Sequence, residues 1–422
     1  LVVVAGGHAV RALPIRAAQY FDYICKGDVE ELGEVIAAAF GQKHVAEQIS
    51  PRYDLMNSNS WLGYLESSRN CNFNCSFCTM TGEANSFYKY ALEDLERHIR
   101  EIGRKRHLLF LDNNFFGGGP HFFKARMELL RTLYRAGQFG GWSAMVTADF
   151  FIDENNLTLA REAGCQALFS GIESFDDSIL QQVNKKQNLV LPQFEIVNRC
   201  LDAGIMFHYG MIFDIANRSV SDFRAELELL FENPQVPLPS FLSLTIPLVG
   251  TPYFQECVEA GVILPRTRLR DMDGFTLTMQ PKDSLPEAVE FVKALPTLRG
   301  YRRKVFSKTL NVLRKNFRNM NRFQLLLTAS NGFLLCAPNV VNAPFRSQQN
   351  AVERTWISST EHLDPLYEPQ FPVAEQYRSH FTPTLVTDDD GSLSKDMLLD
   401  YNVNGSRVTS VTTKISKKPA IA

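Results

Sequence analysis

A chain of 422 residues has room for two or three domains, and 45% hydrophobic with 21% charged side chains is the balance of a globular protein, not of a disordered one. With 44 basic against 46 acidic side chains the formal net charge is −2, which excludes a general attraction to nucleic acid, and no apolar run reaches the ~18 residues of a membrane helix. Three of the eight cysteines fall within residues 71–78 and the others are scattered singly, which excludes the framework of a small secreted disulfide protein and points to a reducing, cytoplasmic setting with one metal cluster.

Residues 1–40 read as the end of an α/β unit: an apolar strand at 1–5, a turn at Gly6-Gly7-His8, a helix at 11–20, a strand at 21–25 and a helix at 30–40 with Leu32, Val35, Ile36, Ala39 and Phe40 on one face. The start has neither a Met nor a basic signal region, so the chain is expected to begin inside a domain. Residues 41–60, polar and carrying Pro51, are expected to be a linker.

From residue 61 a strand–helix rhythm sets in. Strands are predicted at 61–66, 107–111, 142–147, 167–172, 206–213 and 241–246, with helices in each interval. Six such units predict an α/β fold, a partial (β/α)6 TIM-like barrel over 61–255, with its chemistry at the C-terminal mouths of the strands. Polar clusters stand at four of those mouths: the cysteine loop, Asp112-Asn113-Asn114, Glu173-Ser174 and Asp214. Turns and helix caps also sit at strand ends, and for Asp214 alone that reading is equally good. Residues 256–330 are expected to be a helical segment covering the barrel. Within it 299–322 is basic, either a solvated face or a peripheral lipid-surface contact. Residues 331–422 are expected to be an irregular C-terminal extension. Gly117-Gly118-Gly119 lacks the Lys-Ser/Thr of a phosphate loop.

The strongest signal is Cys71-x-x-x-Cys75-x-x-Cys78. Three thiolates can hold three irons of a cubane cluster and leave the fourth open to an outside ligand. A structural zinc site wants four ligands, commonly from paired knuckles, and no second knuckle is present.

This motif followed by six strand–helix units resembles the radical SAM superfamily over roughly residues 61–255. The resemblance implies that Cys71, Cys75 and Cys78 ligate a [4Fe-4S] cluster, that S-adenosylmethionine chelates the fourth iron, and that one electron cleaves it to methionine and a 5′-deoxyadenosyl radical. Phe77 stands where the family has an aromatic residue near adenine. Asp112, Asn113 and Asn114 stand where a Gly-Gly-Glu-like stretch binds the methionine amine; this chain departs from that consensus and is similar to the Asp-Asp-Asn-Phe variant of cobalamin-type members. Glu173, with Ser174 beside it, occupies the strand-four position that contacts the ribose or amino group, and Gly210 and Asp214 are the candidates around strand five.

Val2-Val3-Val4-Ala5-Gly6-Gly7-His8, then Phe21-Asp22-Tyr23-Ile24, is similar to the last third of a Rossmann-like cobalamin-binding domain, which makes 1–40 its C-terminal remnant. The family's histidine motif lies upstream of that region, so His8 is read as structural. Gly171-Ile172-Glu173-Ser174, the run Asn184-Lys185-Lys186-Gln187-Asn188, and 245–252 look most like the branch containing the hopanoid methylases. The resemblance therefore implies cobalamin-dependent C-methylation of a lipid or natural-product substrate, served by a reducing electron donor, with no nucleic-acid partner. The alternatives are a radical SAM oxidoreductase or cyclase without methyl transfer and, from another class, a non-catalytic electron-transfer protein whose nearest fourth ligand is Cys165. Phe115, Phe116, Phe122, Phe123, Phe150 and Phe151 are either core or the lining of an apolar substrate pocket.

Overall fold

Six short apolar runs pair side by side in chain order: β1 (Leu62–Leu65), β2 (His107–Phe110), β3 (Trp142–Met145), β4 (Cys165–Glu173), β5 (Met206–Phe213) and β6 (Phe241–Leu244). Every neighbouring pair is parallel, with β1 and β6 at the two edges of a curled half-barrel. The computed structural model describes residues 2–14, 17–18, 21–41, 51–55, 60–83, 86–263, 272–274, 276–295, 298 and 300–336, with two short strands at 385–387 and 393–395.

Parallel neighbours need crossovers, and helices supply them: α1 (Leu92–Ile102), α2 (Gly119–Arg135), α3 (Asn155–Glu162), α4 (Gln193–Asp202) and α5 (Val220–Glu232). In α1 the buried residues are Leu95, His98, Ile99 and Ile102, a stripe at three- and four-residue spacing laid on the sheet. A capping box between Ser219 and Asp222 starts α5. The core is aromatic. Trp142 stands edge-on to Phe110, centroids 5.7 Å apart, and its indole N–H donates to the Ala163 carbonyl at 3.0 Å. Phe115, Phe116, Phe123, Phe150 and Phe151 are buried in the same cluster, so these five are core residues; Phe122 is half-buried.

After β6 come α6 (Pro252–Glu259), α7 (Leu285–Ala294), α8 (Arg302–Asn316) and α9 (Arg322–Cys336). Phe291 of α7 packs on Phe213 and Phe223. The last two helices close the end of the half-barrel where strands begin. Phe323 lies against Trp61 and His107, and the Gln324 amide donates to the carbonyls of Gln166 (2.7 Å) and Gly204 (3.0 Å). Asn331 donates to the Leu238 carbonyl at 3.0 Å. Lys308, buried in α8, donates to the carbonyls of Leu230 and Asn233 at 2.6 Å each, which caps the end of α5. Helix α9 runs six residues past the expected boundary at 330. Of the expected C-terminal extension the described residues beyond 336 are an antiparallel pair, Leu385–Thr387 with Leu393–Lys395; the remainder lies outside the described residues, as does most of the expected linker.

At the N-terminal end Val4–Ala5 pairs in parallel with Tyr23–Ile24, with helices at His8–Ala12 and Leu32–Phe40. Ala12 and Leu13 of this unit pack on Val249 and Phe254, beside the strand ends of the half-barrel.

Candidate functional site

The cysteine loop lies across the end of the half-barrel where strands finish. After β1 the short strand Ser68–Arg69 pairs with Tyr88–Lys89, residues 71–78 form the loop between them, and the helix Thr79–Glu83 follows. The Cys78 N–H donates to the Cys75 carbonyl at 3.1 Å, and the Thr81 hydroxyl donates to the same carbonyl at 2.8 Å. All three cysteines are free thiols; Cys75 is buried and the other two half-buried. Burial pushes the Cys71 thiol up to about 11, with the charges of Cys78 and Cys75 adding to the shift. Burial likewise raises Cys78, and Cys75 adds to it. The bare loop thus disfavours the thiolates that metal ligation needs, and a bound multivalent cation reverses that preference. Among the described residues no three His, Cys, Asp or Glu side chains converge as for one ion. A cubane takes one thiolate per iron, so three separate but adjacent thiols fit it.

The segment after the helix Asp177–Gln182 braces this loop. Asn184, at φ 52°, donates its amide to the Asn74 carbonyl at 2.7 Å, and the Ser76 N–H donates to the Val183 carbonyl at 3.2 Å. Gln187 donates from Nε2 to the Cys75 sulfur at 3.2 Å. Asn188 donates to the carbonyls of Gly171 (2.8 Å) and Ile172 (3.0 Å), where the register of β4 against β5 slips. That slip ends at Glu173, whose φ of 63° is left-handed and costly for a side chain with a Cβ. The Glu173 carboxylate is ion-paired with Lys185, whose ammonium lies 5.6 Å from the centre of the Phe77 ring. A Cβ at Gly171 would press on the carboxylate and ammonium ends of that ion pair, which would have to shift. No role was read for Lys185 or Gln187 from sequence; their signal was five consecutive amide and ammonium side chains, Asn184 to Asn188, just after a helix.

At the end of β2 the three polar residues separate. Asp112 is fully buried: Oδ1 accepts from the Ser67 N–H at 2.8 Å, and Oδ2 accepts from the hydroxyls of Ser67 (2.7 Å) and Ser68. Arg126 of α2 stands 3.6 Å from the same carboxylate and donates to the Ser67 hydroxyl and the Phe115 carbonyl. Asn114 is also buried, donating to Asn72 of the cysteine loop at 2.7 Å and accepting from the Phe116 N–H at 3.1 Å. Asn113 is exposed, and its side-chain oxygen accepts from the Asn70 N–H at 3.1 Å. Asn113, Asn114, Glu173 and Phe77 are therefore tied to one another through the cysteine loop and its brace.

Ser174 and Asp214 serve their own loops. Ser174 donates to Glu226, which also holds Arg218 at 2.7 Å, and Asp214 accepts from Asn217 at 2.8 Å. Burial, with the Asp214 charge beside it, pushes the Tyr253 phenol far above its ordinary range. Gly210 sits between Gly171 and Phe241 in the sheet, with ordinary space for a Cβ. Cys165 begins β4 while Glu173 ends it, so eight residue steps, roughly 26 Å of strand, separate this thiol from the mouth. His8 and Arg11 of the N-terminal unit both bind Glu83, five residues after Cys78, and Gly82 approaches the Gly250 carbonyl too closely for any Cβ.

Residues 65–230 match the family model described as the Radical SAM superfamily. Over 195 residues the chain is 28% identical to bacteriochlorophyllide d C-12(1)-methyltransferase of Chlorobaculum tepidum, a match covering 45% of this chain and 41% of that protein. Over 223 residues it is 27% identical to hopanoid C-2 methylase of Rhodopseudomonas palustris, covering 50% of this chain and 41% of that one. The matched region is thus about two fifths of the length of these curated relatives. Among solved structures, the cobalamin-dependent S-adenosylmethionine radical enzyme OxsB, with aqua-cobalamin and S-adenosylmethionine bound, superposes with a TM-score of 0.55 at 15% identity, over 83% of this chain and 68% of that one. The radical S-adenosylmethionine methyltransferase TsrM from Kitasatospora setae, with cobalamin and a [4Fe-4S] cluster bound, gives 0.51 at 17% identity, over 81% and 82% of the two chains. These two likenesses show a shared fold.

Proposed function

We propose, from the premise that residues 65–230 are a radical SAM domain, that this chain cleaves S-adenosylmethionine reductively and belongs to a cobalamin-dependent C-methyltransferase. When bound, a [4Fe-4S] cluster supplies the electron that gives methionine and a 5′-deoxyadenosyl radical, and a cobalamin supplies the methyl group. The observation that carries the reading is the set of three free thiols, Cys71, Cys75 and Cys78, on one braced loop at the strand ends, with Cys165 at the opposite end of β4. An electron-transfer protein saturating its cluster with Cys165 does not fit that separation.

The chain's own residues would hold, orient and seal. Cys71, Cys75 and Cys78 are the cluster ligands. Glu173 and Asn113 carry the polar atoms offered to the amino-acid part of S-adenosylmethionine, with Lys185 fixing the Glu173 carboxylate and balancing its charge. Phe77 would pack against the adenine. Asp112, Asn114, Ser174 and Asp214 act as positioning residues, since they are buried and their polar atoms are bonded within the chain. Gly210 borders the site from β5. Phe77 also packs with Tyr253, Cys257 and Met279, an apolar wall that helps exclude water from a reactive radical.

The N-terminal unit, docked through Arg11 and Glu83, is the part of a cobalamin-binding domain that reaches the cysteine loop. The substrate is a lipid or natural product, a reading supported by the bacteriochlorophyllide and the hopanoid named for the relatives. An electron donor is needed. Residues 291–336 contain ten Lys and Arg and no Asp or Glu, with Phe306 and Phe317 exposed, which supports a peripheral contact of α8 with an anionic lipid surface. Among the described residues no helix is long and apolar enough to cross a membrane.

The test is anaerobic reconstitution with iron and sulfide, then dithionite and S-adenosylmethionine. 5′-Deoxyadenosine should form, and should disappear in Cys75→Ala together with the cluster's spectrum. An intact cluster that releases none refutes the reading. Adding methylcobalamin to the full-length protein separates methyl transfer from a cyclase or oxidoreductase.

A further inference from the structure

We infer that Gln187 is a positioning residue that sets the reduction potential of the cluster through an N–H···S hydrogen bond to Cys75; the inference rests on the cluster reading above. The Gln187 amide nitrogen lies 3.2 Å from the Cys75 sulfur, although 112 residues separate the two in sequence, and the side chain is 5% exposed. A ligating thiolate is an acceptor only, so the amide must present its N–H end; its oxygen would repel the sulfur.

The donor is held where it is by its neighbours. Gln187 lies in the 3-10 turn Lys186–Leu189, between Lys185, fixed on Glu173, and Asn188, fixed on the carbonyls of Gly171 and Ile172. Asn184 pins the cysteine loop from the same segment. Donor and sulfur therefore do not drift apart, and in a buried site no water competes for either. Cys71 lies near the backbone N–H groups of Asn72 and Phe73 in the loop, and Cys78 near those of Met80 and Thr81 in the helix that follows. Those donors are the same for any side chains in the loop. Gln187 is a donor supplied by a side chain, from another element, and so one that substitution can tune.

The sign follows from charge. One-electron reduction adds a negative charge to the cluster, part of which spreads onto the thiolate sulfurs. A hydrogen bond to Cys75 is stronger in that state than in the oxidised one, so it favours reduction. Removing the donor must lower the potential, and replacing it with an anion must lower it further.

The experiment is a redox titration followed by electron paramagnetic resonance on reconstituted wild type, Gln187→Met and Gln187→Glu. Methionine keeps the length without the donor, and glutamate keeps the shape but puts an anionic acceptor in place of the neutral donor. Both variants should load iron and sulfide like wild type. At a fixed solution potential, Gln187→Met should show a reduced-to-oxidised ratio about three- to tenfold lower, a tenfold change being 59 mV for one electron. Gln187→Glu should lie lower still, while both bind S-adenosylmethionine in the oxidised state as wild type does. A fully loaded Gln187→Met with the wild-type ratio overturns the inference. Failure of both variants to load iron overturns it too, because Gln187 would then be a brace of the loop and not a tuning donor. A wild type that takes up no cluster refutes the cluster reading itself, which is read out before either variant.

Discussion

The guanidinium of Arg126 stands 3.6 Å from the carboxylate of Asp112, and both side chains are completely buried. Arg126 lies on α2 and Asp112 just after β2, and through Ser67 and Ser68 the pair also holds the chain that leaves β1 for the cysteine loop. Burial pulls Arg126 down to about 10, against the upward pull of Asp112, so it remains a cation at neutral pH. Asp112→Ala should therefore leave an unpaired buried charge and cost about 3–5 kcal/mol of stability. Denaturant unfolding measures this. Asp112→Asn, which keeps the shape and part of the hydrogen bonding, should fold and still bind S-adenosylmethionine. A folded Asp112→Asn that has lost all binding would return Asp112 to a direct ligand role.

Half-buried Glu173 and buried Lys185 form another ion pair, and here the carboxylate stands at the mouth. Lys185→Met removes the partner that holds Glu173 at its left-handed φ. The expected result is S-adenosylmethionine binding weakened about tenfold, roughly 1.4 kcal/mol, with a further stability cost of about 1–3 kcal/mol for the unpaired carboxylate. Lys185→Arg should recover most of both. Equilibrium binding to the reconstituted protein is the measurement, and unchanged affinity in a folded Lys185→Met would remove Glu173 from the site.

The strand–helix rhythm of residues 61–255 was legible because each unit carries its own periodicity and each strand ends in polar residues. The cysteines were legible because their spacing is local. What each polar residue does was not, since it depends on partners far along the chain. Asp112 and Asn114 look alike beside Asn113, yet both are spent on contacts with Ser67, Ser68, Asn72 and Phe116, and Asn113 alone stays exposed. Ser174 reads as a site residue beside Glu173 but answers to Glu226, 52 residues on. Gln187 meets Cys75 only once β4 and the turn after it are folded. A helical cover was expected over 256–330, but the contacts by which α8 and α9 close the barrel floor were hidden, because Gln324 reads as an ordinary polar helix residue until Gln166 and Gly204 stand beneath it.

Acid stability should report on that floor. His107, at the start of β2, bonds Ser143 at 2.9 Å and packs on Phe323, and burial lowers its pKa to about 4. In the unfolded chain it titrates near 6.5. Between those values the unfolded state binds more protons, so stability is full above about pH 6.5 and is lost as pH falls toward 4. The loss reaches about 3 kcal/mol at most. His208, also lowered by burial, acts in the same direction. His107→Asn should flatten the fall between pH 6.5 and 4 in denaturant titrations. An equally steep fall in that variant would assign the acid limb to other groups.

The peripheral contact proposed for α8 predicts binding to anionic vesicles. Phe306 and Phe317, 51% and 71% exposed, are eleven residues apart, three turns of helix, and so lie on one stripe. Arg303, Arg314, Lys315, Arg318 and Arg322 are exposed around them, while Lys308 is buried and Lys304 is paired with Glu228. Since α8 and α9 close the floor of the half-barrel, this surface faces away from the cysteine loop, so binding would tether the protein and leave the mouth free. Each basic side chain near an anionic surface contributes about 1 kcal/mol. Reversing two, in Arg314→Glu with Arg318→Glu, should lower partition onto phosphatidylglycerol vesicles more than about 100-fold, and Phe317→Ser should lower it less. Added salt should weaken wild-type binding, and phosphatidylcholine vesicles should bind little. Sedimentation with vesicles at low and high salt measures all four. Equal binding to both lipids, or wild-type binding by the charge-reversed protein, would make α8 a solvated basic face.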